Sequence, residues 1–69
     1  MKTIDARGLS CPEPVLLTKK TLDSGERSFV VLVDSEAPKE NIKRFCAKQG
    51  CDLQANLEDG VWELTVRLP

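Results

Sequence analysis

A chain of 69 residues carrying a net charge of −1 is one small domain, residues 1–69, that buries about 60% of its unfolded surface. This leaves room for a single thin core and no deep substrate cavity. The charge gives no global drive toward nucleic acid or an anionic membrane, and no stretch approaches the roughly 20 apolar residues of a membrane span. The polar Met1-Lys2-Thr3 opening does not read as a signal peptide, so the expected default location is the cytoplasm.

The chain has no histidine, and therefore no ordinary general base near neutral pH, no Cys-His dyad and no imidazole metal ligand. Its cysteines, Cys11, Cys46 and Cys51, are odd in number and lack metal-knuckle spacing. No metal site and no disulfide framework are expected. A thiol that works here must work as a thiol.

The first strand is expected at about Thr3 to Ala6, with Ile4 and Ala6 facing inward and Arg7-Gly8 closing it. Gly8 can take the positive φ of a tight turn that redirects the chain toward Cys11, although an ordinary loop glycine would read the same. Asp5 reads as a solvated or turn-bonding residue ahead of a catalytic one.

Cys11-Pro12-Glu13-Pro14 then precedes the helix-forming run Val15 to Leu22, with no further Gly or Pro until Gly25. Prolines are tolerated in a first turn because the first four amides of a helix have no carbonyl to bond. With Ser10 or Cys11 as the N-cap, the thiol lies at the positive end of the helix dipole, where a thiolate is favoured. Pro12 and Pro14 lack an N–H and Glu13 carries a negative charge, so the expected activation is modest. The alternative is a small apolar cysteine packed under a helix start.

Ser24-Gly25-Glu26 is a loop. Ser28 to Val33 is a β-branched and aromatic run, expected as a strand with much of both faces covered. Asp34-Ser35 caps a second helix with Pro38 in its first turn, and Ile42, Phe45, Cys46 and Gln49 recur as a core stripe. Glu40, Arg44, Ala47 and Lys48 lie opposite, flanked by Lys39 and Lys43, and read as a solvated basic side. Gly50 ends the helix, and Cys51 is a junction residue.

Asp59-Gly60 is a type I′ hairpin turn between alternating segments. Pairing Glu58 with Val61 sets Leu57 opposite Trp62, Ala55 opposite Leu64 and Leu53 opposite Val66, all on the core face. The whole is β-α-β-α-β-β, an α/β two-layer sandwich: a four-stranded mixed sheet with two helices on one face.

The run Asp5-Ala6-Arg7-Gly8-Leu9-Ser10-Cys11-Pro12-Glu13-Pro14 resembles the signature of the TusA/SirA/YedF family of small sulfur-carrier proteins. The likeness continues through Thr18-Lys19-Lys20 and Phe45-Cys46. It implies a βαβαββ two-layer fold in which Cys11 carries sulfur as a persulfide, with Asp5, Gly8, Pro12, Glu13 and Pro14 as the motif positions around it. It also implies a sulfur donor protein such as a cysteine desulfurase, an acceptor sulfurtransferase, and no cofactor beyond the covalent sulfur. Ser10 departs from the basic residue of the tRNA-thiolation members, which leaves tRNA thiolation, molybdenum cofactor, selenium and sulfur metabolism open.

Projected at about 100° per residue, the first helix places Leu16 in the middle of its polar arc, near Pro12, Lys19 and Lys20. An apolar centre with a charged rim beside Cys11 suits transient partner docking; the alternative is a helix rotated enough to bury Leu16 against the sheet. From another class, the architecture resembles the C-terminal domain of bacterial translation initiation factor three, and the basic second helix would then serve an RNA- or protein-binding regulatory module with an inert Cys11. Exposed aromatics beside the charge are lacking, so direct nucleic-acid binding is not expected.

Overall fold

A computed structural model describes residues 2–69; Met1, part of the polar opening considered above, lies outside the described residues. The elements follow the expected order: β1 (Lys2–Asp5), α1 (Glu13–Asp23), β2 (Ser28–Val33), α2 (Glu36–Gln49), β3 (Asp52–Glu58) and β4 (Val61–Arg67). The strands form one mixed sheet in the order β1-β2-β4-β3. β1 pairs parallel to β2, while β4 runs antiparallel to both β2 and β3.

The central strand organises the core. Along β2 the burial alternates, with Phe29, Val31 and Val33 buried beneath the helices and Val30 and Leu32 half-buried on the other face. One face is thus covered rather than both, because no helix lies over the second. Leu64 and Val66 of β4, Ile42 and Cys46 of α2, and Ala6 at the end of β1 complete the buried cluster.

α1 meets that cluster with Pro14, Thr18 and Thr21 buried. Burying threonine hydroxyls is costly unless they are bonded. Here Thr18 Oγ1 donates to the Pro14 carbonyl at 2.9 Å and Thr21 Oγ1 to the Leu17 carbonyl at 2.8 Å.

The hairpin has the register read from its pattern, Glu58 with Val61 through Leu53 with Val66. Its burial is less than that register implies. Leu57 is 54% exposed and Ala55 is exposed, while Trp62 and Leu53 are half-buried. β3 is an edge strand, and the helices do not reach over its turn end. The turn itself has Asp59 at φ 51 and Gly60 at φ 77, the two positive values that type I′ requires.

Three further details differ from the sequence reading. Gln49 is exposed at the end of α2, so the core stripe ends at Cys46. Ser35 is the N-cap of α2 but makes no side-chain capping bond. Lys39 is not a free solvated flank: its ammonium lies 4.3 Å from the centroid of the Trp62 ring and pairs with Glu40 Oε2 at 2.9 Å. The lysine stem covers the indole, and the cation meets the ring face. No helix of the described residues is long and apolar enough to cross a membrane.

Candidate functional site

The three cysteines are all free thiols in three environments: Cys11 exposed, Cys51 intermediate, Cys46 buried. Burial pushes the Cys46 thiol up to about 11, because a thiolate there would lose its hydration. The exposed thiol belongs to the loop between β1 and α1.

That loop is pinned on both sides of Cys11. Upstream, Ala6 is buried and donates its N–H to the Leu32 carbonyl at 2.9 Å, Leu9 packs half-buried against the core, and Leu9 N donates to the Ala6 carbonyl at 3.3 Å. Downstream, Pro14 is buried at the start of α1. An exposed sulfur is therefore carried on a short arch between two packed residues.

The turn within the arch has its own ties. Gly8 takes φ 77, as a tight turn requires, and its N–H donates to Asp34 Oδ2 at 3.0 Å. Asp34 thus anchors the loop to the end of β2 instead of capping α2. Asp5 accepts hydrogen bonds from Arg7 through its backbone N–H at 3.1 Å and its guanidinium Nε and Nη2 at 2.9 Å each. Those bonds hold the Asp5 carboxyl down at about 2. Asp5 has the turn-bonding geometry expected of it, and its carboxylate is committed to Arg7.

The helix start is built differently from the expected cap. α1 begins at Glu13 with Pro12 as its N-cap, and no side chain caps it. Neither Ser10 nor Cys11 has that position, because the first helical bond runs from Leu16 N to the Pro12 carbonyl at 3.0 Å. The Glu13 N–H, one of the two amides that the prolines leave near the sulfur, donates to the Ser10 carbonyl at 3.0 Å.

The donor to the sulfur comes from the other helix. Asn41 Nδ2, half-buried on α2, donates to Cys11 Sγ at 2.8 Å. Arg44 Nη2 donates to Asn41 Oδ1 at 2.9 Å. Sequence reasoning passed over Asn41. The available signals were an asparagine inside a helix, where its propensity is poor, its place beside Ile42 of the core stripe, and its i, i+3 spacing to Arg44.

The remaining expected site residues are dispersed. Leu16 is 55% exposed one turn into α1, the first of the two placements open to it. Lys19 pairs with Asp23 Oδ2 at 3.3 Å toward the far end of the helix. Lys20 lines a shallow groove with Lys2, Ile4, Leu17, Thr21 and Ser24, between α1 and the edge of β1. Neither lysine is gathered with Asn41 around the sulfur. Glu13 is exposed in the first turn. On α2, Lys43, Arg44 and Lys48 are exposed, but each aromatic is engaged: Phe29 is buried, Phe45 packs on the core and Trp62 lies under Lys39.

The arrangement supplies an accessible sulfur with one neutral N–H donor, suited to displacement at sulfur. The family model for sulfurtransferase TusA matches residues 2–68. A SirA-like protein from Desulfitobacterium hafniense, known from its crystal structure, is similar to the chain at a TM-score of 0.90 and 37% identity, over 97% of this chain and 96% of that one. The chain belongs to the TusA family of sulfurtransferases and sulfur carriers.

Proposed function

We propose that Cys11 is the sulfur-carrying residue and that it works as a persulfide shuttle in the cytoplasm. The observation that carries this reading is the placement of the one exposed cysteine on a pinned arch, against the burial of Cys46. Displacement at sulfur depends on thiolate character, leaving group and access. The Cys11 thiolate attacks the outer sulfur of a donor persulfide, the donor S–S bond breaks with its electron pair on the donor cysteine, and Cys11 is left as Cys11–S–SH. In delivery an acceptor thiolate attacks that outer sulfur, and the electron pair of the broken bond returns to Cys11. Neither step needs an oxidant, a reductant or a metal.

The donor is a protein such as a cysteine desulfurase, and the acceptor a sulfurtransferase. A carrier whose thiol is exposed must be gripped near it, and Leu16 is the apolar anchor available one turn from it. Its charged rim includes Glu13, while Lys19 and Lys20 lie further along α1 and would engage only a partner that extends over the helix. Asp5, Gly8, Pro12 and Pro14 act by holding the arch.

Incubation with a desulfurase and cysteine, or with polysulfide, adds one sulfur to the peptide containing Cys11 and none to that containing Cys46. Recovery of the sulfur chiefly on Cys46 or Cys51 would overturn the assignment.

A further inference from the structure

We infer that Asn41, held in one orientation by Arg44, is a catalytic hydrogen-bond donor to the Cys11 sulfur, and that it acts on that sulfur both as nucleophile and as leaving group. The inference rests on the carrier reading of Cys11 for its second half only; the hydrogen bond acts on the thiol whatever the thiol does.

The polarity of the contact is fixed by chemistry. A primary amide presents an acceptor on one side and donors on the other, and a guanidinium can only donate. Arg44 Nη2 takes Asn41 Oδ1 at 2.9 Å, so the NH₂ group is the end left for Cys11 Sγ, which it meets at 2.8 Å. Were the amide reversed, Arg44 would face an NH₂ group and the sulfur would face an oxygen. Arg44 is thus a positioning residue, acting through Asn41.

A neutral thiol sulfur accepts hydrogen bonds weakly, whereas a thiolate accepts them strongly. The Asn41 N–H is therefore a stronger partner for a sulfur that carries charge than for a neutral one. In uptake the anionic Sγ is the attacking atom. In delivery the Sγ–S bond breaks and Sγ receives the electron pair, so the same donor meets the charge as it forms. The two half-reactions respond differently to losing it. Delivery loses leaving-group stabilisation at every pH. Uptake loses the donor to the attacking sulfur near neutral pH, whereas at alkaline pH the variant sulfur, with no donor to damp it, is the better nucleophile.

Other charges on the surrounding elements are Glu13 on α1, the Asp5–Arg7 pair in the loop, Asp34 beneath Gly8, and Glu40, Lys43 and Arg44 on α2. These are unchanged in an Asn41 variant without charge, so the difference from wild type isolates the donor.

The test is the pH profile of iodoacetamide alkylation at Cys11, read by mass spectrometry of its peptide, for wild type, Asn41→Leu, Asn41→Asp, Arg44→Met and Arg44→Lys. Asn41→Leu moves the profile so that alkylation at neutral pH slows by about threefold to tenfold. Asn41→Asp, which sets a carboxylate against the sulfur, moves it furthest. Arg44→Met, which frees the amide to turn, moves it in the same direction by less, and Arg44→Lys, again a donor-only cation, recovers most of that shift.

With persulfide-loaded protein and a small thiol acceptor, Asn41→Leu slows delivery by about threefold to tenfold. Uptake from polysulfide is slowed at neutral pH and not at alkaline pH. If Asn41→Leu does not fold, Arg44→Met on the exposed side of α2 decides the matter. Alkylation profiles that superimpose on wild type overturn the inference, and normal sulfur loading of wild type in the same experiment leaves the carrier reading standing. A shifted profile with no loading of wild type has the converse meaning: the donor is real and the carrier reading fails.

Discussion

Cys11 and Cys46 are the same residue in two opposite surroundings. Cys46 lies inside α2, fully buried among Phe29, Ile42 and the β4 side chains of the core cluster, with its thiol pushed up to about 11. Cys11 is exposed on an arch between Leu9 and Pro14 and accepts a hydrogen bond from Asn41 at 2.8 Å. Reactivity at sulfur follows thiolate character and access, so the fold makes one thiol a packing residue and leaves the other accessible. The cost of the second arrangement is small, because a helix start with Pro14 buried holds Cys11 without needing its side chain in the core.

The largest expected effects separate these roles. Cys11→Ser abolishes persulfide loading and leaves the melting temperature close to that of wild type, as intact mass and a thermal melt will report. Cys46→Ser has the reverse result: loading at Cys11 persists, while a hydroxyl in the core costs about 1–3 kcal/mol. In a domain of this size each kcal/mol lowers the melting temperature by roughly 4–8 °C. Equal loss of loading in both variants would erase the distinction.

Next in size is the proposed docking surface beside the exposed thiol. Leu16→Asp weakens transfer from a protein donor by about tenfold, while uptake from polysulfide and the melting temperature change little, since Leu16 is 55% exposed. A large fall in melting temperature would show that the leucine belongs to the core.

The smallest effects are in pH dependence. The folded-state value of Cys46 is raised, so the native state retains a proton that the unfolded chain has lost, and stability declines as pH rises from about 9 toward about 11. Cys46→Ala removes that part of the alkaline decline. Asp5 behaves oppositely: its folded-state value is lowered to about 2 by Arg7, so its contribution is present above the ordinary carboxylate value and is lost as pH falls toward about 2. Asp5→Asn flattens that acid limb slightly, the pair being exposed to solvent. Denaturant melts across both pH ranges measure each.

How much was legible in the sequence differs between the hairpin and the thiol site for a physical reason. The hairpin is specified locally: Asp59-Gly60 sets the turn, and period-two alternation sets the register from Glu58–Val61 to Leu53–Val66. What alternation cannot tell is how far the helices extend over that face, which is why Leu57 was expected inside and is exposed.

At the thiol site the local half was equally readable: the prolines, the positive φ of Gly8, and the exposed Leu16. The other half is tertiary. Asn41 and Asp34 reach Cys11 and Gly8 across separations of 30 and 26 residues, through the packing of α2 beside α1, and no periodicity in the chain encodes that meeting. The cap differs from the expected one because Ser10 is a good capping type, whereas the chain turns through Pro12 and uses the Ser10 carbonyl instead.

The most direct test of the central claim follows the sulfur itself. Wild-type protein is loaded from a desulfurase with radiolabelled cysteine, separated from the donor, and given an excess of an acceptor thiol. The account predicts that label sits on Cys11, leaves with the acceptor and restores a free Cys11 thiol that can be loaded again. Label that stays on the protein, or that is taken up equally by Cys11→Ser, would contradict it.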